Sequence, residues 1–169
     1  MFFSLRHLFW LTAALLGIGL WIFYFQDLPY RSAPHQPISF SHRVHFERGI
    51  ACIFCHAGVA KSDYAGMPAV MKCMGCHRVV IPYYPEVQIL HRYWREQQPI
   101  PWVRVFWVPQ YVHFPHKPHI LAGIACGTCH GDVGHEERVS EVVNFNMGTC
   151  ITCHRNHGAR TDCFQACHH

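Results

Sequence analysis

The hydrophobic positions of this chain fall into one long run followed by much shorter, interrupted ones. Leu8–Phe25 (LFWLTAALLGIGLWIFYF) is eighteen residues without a charge. That length predicts one transmembrane helix and exceeds the apolar region of a usual signal peptide. Downstream, Asp27–Ser39 carries Pro29, Pro34 and Pro37 and predicts an extended tether. AGVAKSDYAGMPAVMK has turn-forming Gly and Pro without a strong period, which predicts loop with short helical turns. PIPWVRVFWVPQYV predicts an extended segment bounded by prolines.

The flanks of the long run orient it. Arg6 precedes it, and Trp21 and Tyr24 lie near its far end. That pattern puts the N-terminus in the cytoplasm and everything after about Asp27 on the outer side of the cell membrane, as a single-pass anchor. A cleaved signal is the alternative, but its best site ends at Ala33 with Arg31 where a small residue belongs.

A repeat changes the picture. Phe40–His56, FSHRVHFERGIACIFCH, returns seventy-four positions later as Phe114–His130, FPHKPHILAGIACGTCH. Each copy ends in Cys-x-x-Cys-His, the run that attaches a c-type haem through two thioethers and ligates its iron with the following His. Upstream, His42 with His45 and His116 with His119 are three apart, on one face of a helical turn, and so are candidate sixth ligands for two neighbouring irons.

Five such runs use all ten cysteines: Cys52/Cys55/His56, Cys73/Cys76/His77, Cys126/Cys129/His130, Cys150/Cys153/His154 and the longer-spaced Cys163/Cys167/His168. Zinc ribbons need two Cys pairs per metal and give no reason for a His after each pair. Five covalently bound haem c groups are therefore expected. The exported part then has fewer than about 30 residues per haem, too few for a core of side chains alone. The expected fold is an N-terminal single transmembrane helix plus a haem-organised multihaem cytochrome c domain of short helices and coil, with little regular secondary structure. Its expected divisions are an anchor at 1–26, a tether at 27–39, a two-haem block at 40–81, an aromatic and Pro-rich linker at 82–112, and a three-haem block at 113–169.

The net charge of +4 suggests an anionic partner. Haem propionates, about two per haem, offset it in the holoprotein, so no nucleic-acid binding follows. Tyr83, Tyr84, Tyr93, Trp94, Trp102, Phe106 and Trp107 crowd the linker. They are read either as covers for haem edges or as a docking face for another subunit.

FSHRVHFERGIACIFCHAGVAKSDYAGMPAVMKCMGCHRVV and QPIPWVRVFWVPQYVHFPHKPHILAGIACGTCHG resemble the membrane-anchored pentahaem cytochrome c subunit of bacterial alternative complex III. The similarity spans about residues 38–155 and includes Lys61, Ser62, Ala65, Gly66, Pro68 and the Pro99–Val105 segment, none of which haem attachment requires. The second half also resembles class III cytochromes of the c7 type. That resemblance implies His42 for haem one, His45 for haem two, His116 for haem three and His119 for haem four. Family members often have His at the position of Phe106 and Met near that of His135. The sixth ligand of haem five thus stays open, with His135 first, Met147 its alternative, and His91, His113 and His157 behind.

The function so implied is an electron-transfer subunit of a membrane quinol:acceptor oxidoreductase in a respiratory or photosynthetic chain. It takes electrons from a quinol-oxidising or iron–sulfur partner subunit and passes them to a soluble periplasmic acceptor or oxidase. No residue need act as acid, base or nucleophile. The rival readings are a stand-alone small multihaem quinol dehydrogenase and a multihaem reductase with an open haem.

Overall fold

The computed structural model describes residues 5–31, 33–62 and 64–168, with the side chains of 6–22 in the first helix. The chain divides into two compact units, Met1–Ser32 and Ala33–His169.

The first unit is helix α1, Leu5–Arg31. The expectation of a transmembrane span is overturned here: among the described residues no helix is long and apolar enough to cross a membrane. Arg6 and His7 stand near its start, and Gln26, Asp27 and Arg31 near its end. Trp21 is exposed on the helix, while the side chains of Tyr24 and Phe25 lie outside the described residues. The helix continues through Pro29 to Arg31, so the first residues of the expected tether are helical.

The second unit is short helices joined by coil. They are α2 (His42–Phe46), α3 (Cys52–Cys55), α4 (Val70–His77), α5 (Pro85–Arg95), α6 (His116–Leu121), α7 (Gly127–His130) and α8 (Met147–Asn156). Two 3-10 turns, Ala57–Ala60 and Val133–His135, and a π turn, Cys163–Cys167, complete it. The described residues form no strand, only an isolated antiparallel bridge between Val112 and His168.

Helix α5 lies in the segment read above only as an aromatic linker. Its signals are local: Pro85 in the first turn, Glu86 at the N-terminal end, and Arg92 and Arg95 in the last turn. Val87, Leu90 and Trp94 recur at helical spacing, and the first two are buried. α5 packs on α4, and Ile38, Met74, Leu90 and Ile100 form a small apolar cluster covered by Tyr93, Trp94 and Trp102. Those three linker aromatics thus cover side chains, whereas Tyr83 and Trp107 are exposed.

Only Val87 joins those four as buried apolar residues among the described ones, and no side chain is fully enclosed. Five such residues are far fewer than a domain of this length needs when side chains alone close its core. The repeat is visible in how the helices meet instead. α2 packs on the 3-10 turn Val133–His135, and α6 packs on the 3-10 turn Ala57–Ala60. The His-x-x-His helix of each copy therefore sits on the turn that follows the Cys-x-x-Cys-His run of the other.

Candidate haem sites

A helical turn gives each Cys-x-x-Cys-His run its shape. Residues three apart sit about 60° apart around the axis, so both thiols face one side, and the His follows at the next turn. His56 N donates to Cys52 O at 2.9 Å and His130 N to Cys126 O at 3.0 Å. At the fifth site the spacing is one residue longer, yet the same bond survives, His168 N to Cys163 O at 2.9 Å. The π turn absorbs the extra residue, and Phe164 projects outward, 80% exposed. Asp162 caps this turn by accepting from Gln165 N at 3.0 Å, and Arg160 Nε donates to Asp162 at 2.9 Å.

Site two departs from the uniform pairs that the motif alone suggests. At sites one, three and five the first cysteine is exposed and the second is half-buried: Cys52 with Cys55, Cys126 with Cys129, Cys163 with Cys167. At site two the order reverses, with Cys73 half-buried and Cys76 exposed, and at site four Cys150 and Cys153 are both half-buried. The cause is the packing of α4 on α5, which sets Cys73 against the apolar cluster and leaves Cys76 outside it. The carbonyl of Cys76 still closes the helix end, accepting from Val79 N at 3.0 Å and Val80 N at 2.9 Å. Those bonds bring the chain round so that Val80 O reaches His77. Cys76 is thus placed beside its expected partners Cys73 and His77, on the open side of the site rather than the packed one.

Burial pushes Cys55, Cys73, Cys129 and Cys150 up from the ordinary thiol range, with neighbouring thiols adding to it. Among the described residues no three His, Cys, Asp or Glu side chains converge as a metal centre.

The histidines meet in pairs. The ring centres of His45 and His77 are 6.0 Å apart, those of His116 and His130 6.3 Å, and those of His119 and His154 6.0 Å. Metal–imidazole bonds of about 2 Å, with roughly 1.1 Å from nitrogen to ring centre, set two trans imidazoles about 6 Å apart. The donor set therefore fits an iron held between two histidines. His42 neighbours His56, and burial, helped by His56 and His45, lowers its pKa to about 4, which keeps it in the neutral, ligating form. Its Nδ1 is buried without a hydrogen-bond partner.

At six other histidines of the sites Nδ1 is held by the main chain. His45 donates it to Ser41 O at 2.8 Å, His56 to Gly66 O at 2.8 Å and His77 to Val80 O at 3.2 Å. His119 donates to Pro115 O at 3.0 Å, His154 to Arg160 O at 2.5 Å and His168 to Tyr111 O at 3.1 Å. Each bond sets the tautomer that leaves the Nε2 lone pair for a metal. His91 is turned the other way, its Nε2 donating to His77 O at 2.9 Å. Gly66, with φ of 74°, shows why a glycine stands where His56 needs a carbonyl.

The remaining candidates lie apart from one another. His135 is exposed, donates Nδ1 to Asp132 Oδ1 at 2.7 Å, and sets its ring 5.2 Å from Phe46 of α2. Met147 opens α8 and is 68% exposed. Among the described residues no ring contact or hydrogen bond joins either to His168, whose ring neighbours Tyr111 at 5.7 Å. His157 donates to Cys153 O at 2.9 Å within its own helix end, and His113 N donates to Cys167 O at 2.9 Å.

The sites follow one another in space in an order that differs from the chain's. His42 and His45 on α2 tie sites one and two, with Phe40 against both rings. His116 and His119 on α6, with Phe114 against both, tie sites three and four. The reciprocal helix–turn contacts join the copies at sites one and three, where His130 feels the charge of His56 as well as His116. Arg160 ends the series: its carbonyl serves His154, and its side chain bonds Asp162 and Gln165 of site five. The order is two, one, three, four, five.

The proximal carbonyls and the rings of Phe106 and Phe145 against His130 are functional contacts that motif reading missed. A carbonyl has no side-chain signature, and only Gly66 hinted at one.

No family model matches the chain. Over 90% of its length it is 29% identical to 82% of a protein from Nitratidesulfovibrio vulgaris named as the multihaem cytochrome c subunit of menaquinone reductase. This likeness, joined to the Cys and His geometry above, supports a multihaem cytochrome c with covalently attached haem.

Proposed function

We propose that this chain is the electron-transfer subunit of a membrane quinone oxidoreductase, carrying five covalently held haems as a wire. The observation that carries the reading is the second histidine ring about 6 Å from the proximal one at sites two, three and four. When bound, each haem iron supplies a one-electron couple. The chain's own residues supply two cysteines and a histidine per site and, at sites one to four, a second histidine that would fill the sixth position and keep substrate off. The ligand pairs proposed are His42 with His56, His45 with His77, His116 with His130 and His119 with His154. The haem-bearing unit would lie outside the cytoplasm, where c-type haem is attached.

In its finer form the reading is a subunit like that of alternative complex III, taking electrons from a quinol-oxidising or iron–sulfur partner and giving them to a periplasmic acceptor. The relative's name favours a second form, delivery to menaquinone. A chain of bis-histidine sites serves either direction.

Purification in mild detergent, with mass spectrometry of the intact chain and its companions, tests both. The expected result is the polypeptide plus five haem masses, together with quinone-binding subunits. Zero haem with bound zinc ends the reading. Carbon monoxide added to the reduced protein is expected to leave the haems of sites one to four unchanged; a stoichiometric shift at any of those four transfers the reading to a reductase with an open site.

A further inference from the structure

Four of the five histidines that follow a cysteine pair donate Nδ1–H to a main-chain carbonyl, those of Gly66, Val80, Arg160 and Tyr111. His130 is the exception. Among the described residues its imidazole makes no hydrogen bond to a carbonyl and has as ring neighbours Phe106 at 4.4 Å and 80°, Phe145 at 6.0 Å and 55°, and its partner His116 at 6.3 Å. Phe106 and Phe145 are themselves in edge contact at 5.9 Å, so they form one apolar wall. The carbonyl of Phe106 is engaged elsewhere, accepting from Arg104 Nε at 2.8 Å.

An imidazole that donates Nδ1–H to a carbonyl gains imidazolate character and becomes a stronger donor to iron, which favours the ferric state. Here no main-chain carbonyl takes that proton, and hydrocarbon against the ring lowers the local dielectric. Both effects favour the less charged ferrous state.

We propose that site three has the highest reduction potential in the chain, and that Phe106 is the positioning residue that sets it by walling His130 with hydrocarbon. The proposal rests on the electron-wire reading. Site three is central in the spatial order, so an electron entering at either end settles there before leaving.

The experiment uses the full chain with its haems. Intact mass first counts them, and a chain without several haems fails the electron-wire reading itself. Nuclear magnetic resonance during stepwise reduction then identifies the haem whose signals contact the Phe106 and Phe145 rings. That haem is expected to reduce first; if it reduces with or after the others, the proposal is overturned. Phe106→Gln, which offers an acceptor, is expected to lower one potential at least tenfold in the reduced-to-oxidised ratio, or about 59 mV. Phe106→Leu, apolar and without an acceptor, is expected to leave it within that margin. Unchanged potentials in Phe106→Gln at full haem content overturn the role of Phe106 while leaving the wire intact.

Discussion

The two copies of the seventeen-residue motif build the same local geometry and then part company. Phe40 lies 4.4 Å from His45 at 28° and 4.9 Å from His42 at 88°; Phe114 lies 4.6 Å from His119 at 34° and 5.0 Å from His116 at 83°. His45 and His119 each donate Nδ1 to the carbonyl four residues back. Gly49 and Gly123 both take φ of 78° to turn the chain. The first histidine after a Cys pair differs: His56 finds a carbonyl and His130 finds rings. Distal geometry is encoded within the motif, whereas the proximal environment comes from chain ten or more residues away, and there the copies diverged.

The largest effect expected is on folding, since both copies share the lack of a side-chain core. Produced with all ten cysteines replaced by alanine, residues 33–169 are expected to show no cooperative thermal transition by circular dichroism. A cooperative melt would place the architecture in the small Ile38, Met74, Leu90 and Ile100 cluster instead. Next in size, His45→Ala and His119→Ala test whether the copies are equivalent. Each is expected to turn one haem from low-spin to high-spin and open it to carbon monoxide, at site two in the first variant and site four in the second. A change at site one in His45→Ala would break the equivalence.

The repeat, the Cys-x-x-Cys-His runs and the scarcity of regular structure were legible because each rests on local spacing or composition. The membrane span was misread because an uncharged run was counted by length alone, while the helix that carries it also carries Arg6, His7, Asp27 and Arg31. α5 was hidden beneath its aromatics, although Pro85, Val87 and Leu90 already carried the helical signal. With α5 hidden, the reversed exposure of Cys73 and Cys76 was hidden too, since it follows from the face of α4 that α5 covers. His135 was weighed for haem five because members of the family that the chain resembles often have a Met near its position. The structure sets it against Phe46 of the first block, a long-range contact that no spacing encodes. The reciprocal seating of α2 and α6 was likewise invisible, since it depends on which turn meets which helix.

A smaller effect has different causes in the two copies, just after the motif. A Cβ on Gly58 would meet the main-chain oxygens of Tyr64 and Ala65, the latter at 2.6 Å, and backbone cannot move aside. On Gly131 it would meet Val142 Cγ2 at 2.6 Å, and φ there is 75°, where only glycine is at ease. Gly58→Ala is expected to cost roughly 1–3 kcal/mol and to disturb site one, which that turn follows. Gly131→Ala is expected to cost as much and to disturb site three, because Val142 can rotate away but the backbone strain stays. Thermal melts with site-resolved spectra check both; a much smaller loss in Gly131→Ala would mean that the chain there relaxes to a conformation alanine adopts.

The smallest effect concerns the seam between the copies. Arg43 of α2 pairs with Glu137 beyond the 3-10 turn Val133–His135, and also reaches Glu47 at 3.6 Å. Hydrogen bonds from Ser41 and Arg43 hold the Glu137 carboxyl below its ordinary range, and Glu137 raises Arg43 in turn. Both side chains are about half exposed, so solvent and salt weaken the pair. A depressed carboxylate pKa contributes stability above its unfolded value and loses it as the pH falls through the folded one. Glu137→Gln is therefore expected to lower the melting temperature slightly at neutral pH and low salt. The difference should vanish in about 1 M salt, where the Debye length is near 3 Å, and again in acid, once the carboxyl of the parent protein is protonated. The main-chain bond from Arg43 N to Glu136 O, 3.2 Å, survives the substitution and keeps α2 seated. A large loss at every salt concentration would show that this ion pair, rather than that bond and the packing of Phe46 against His135, holds the two copies together.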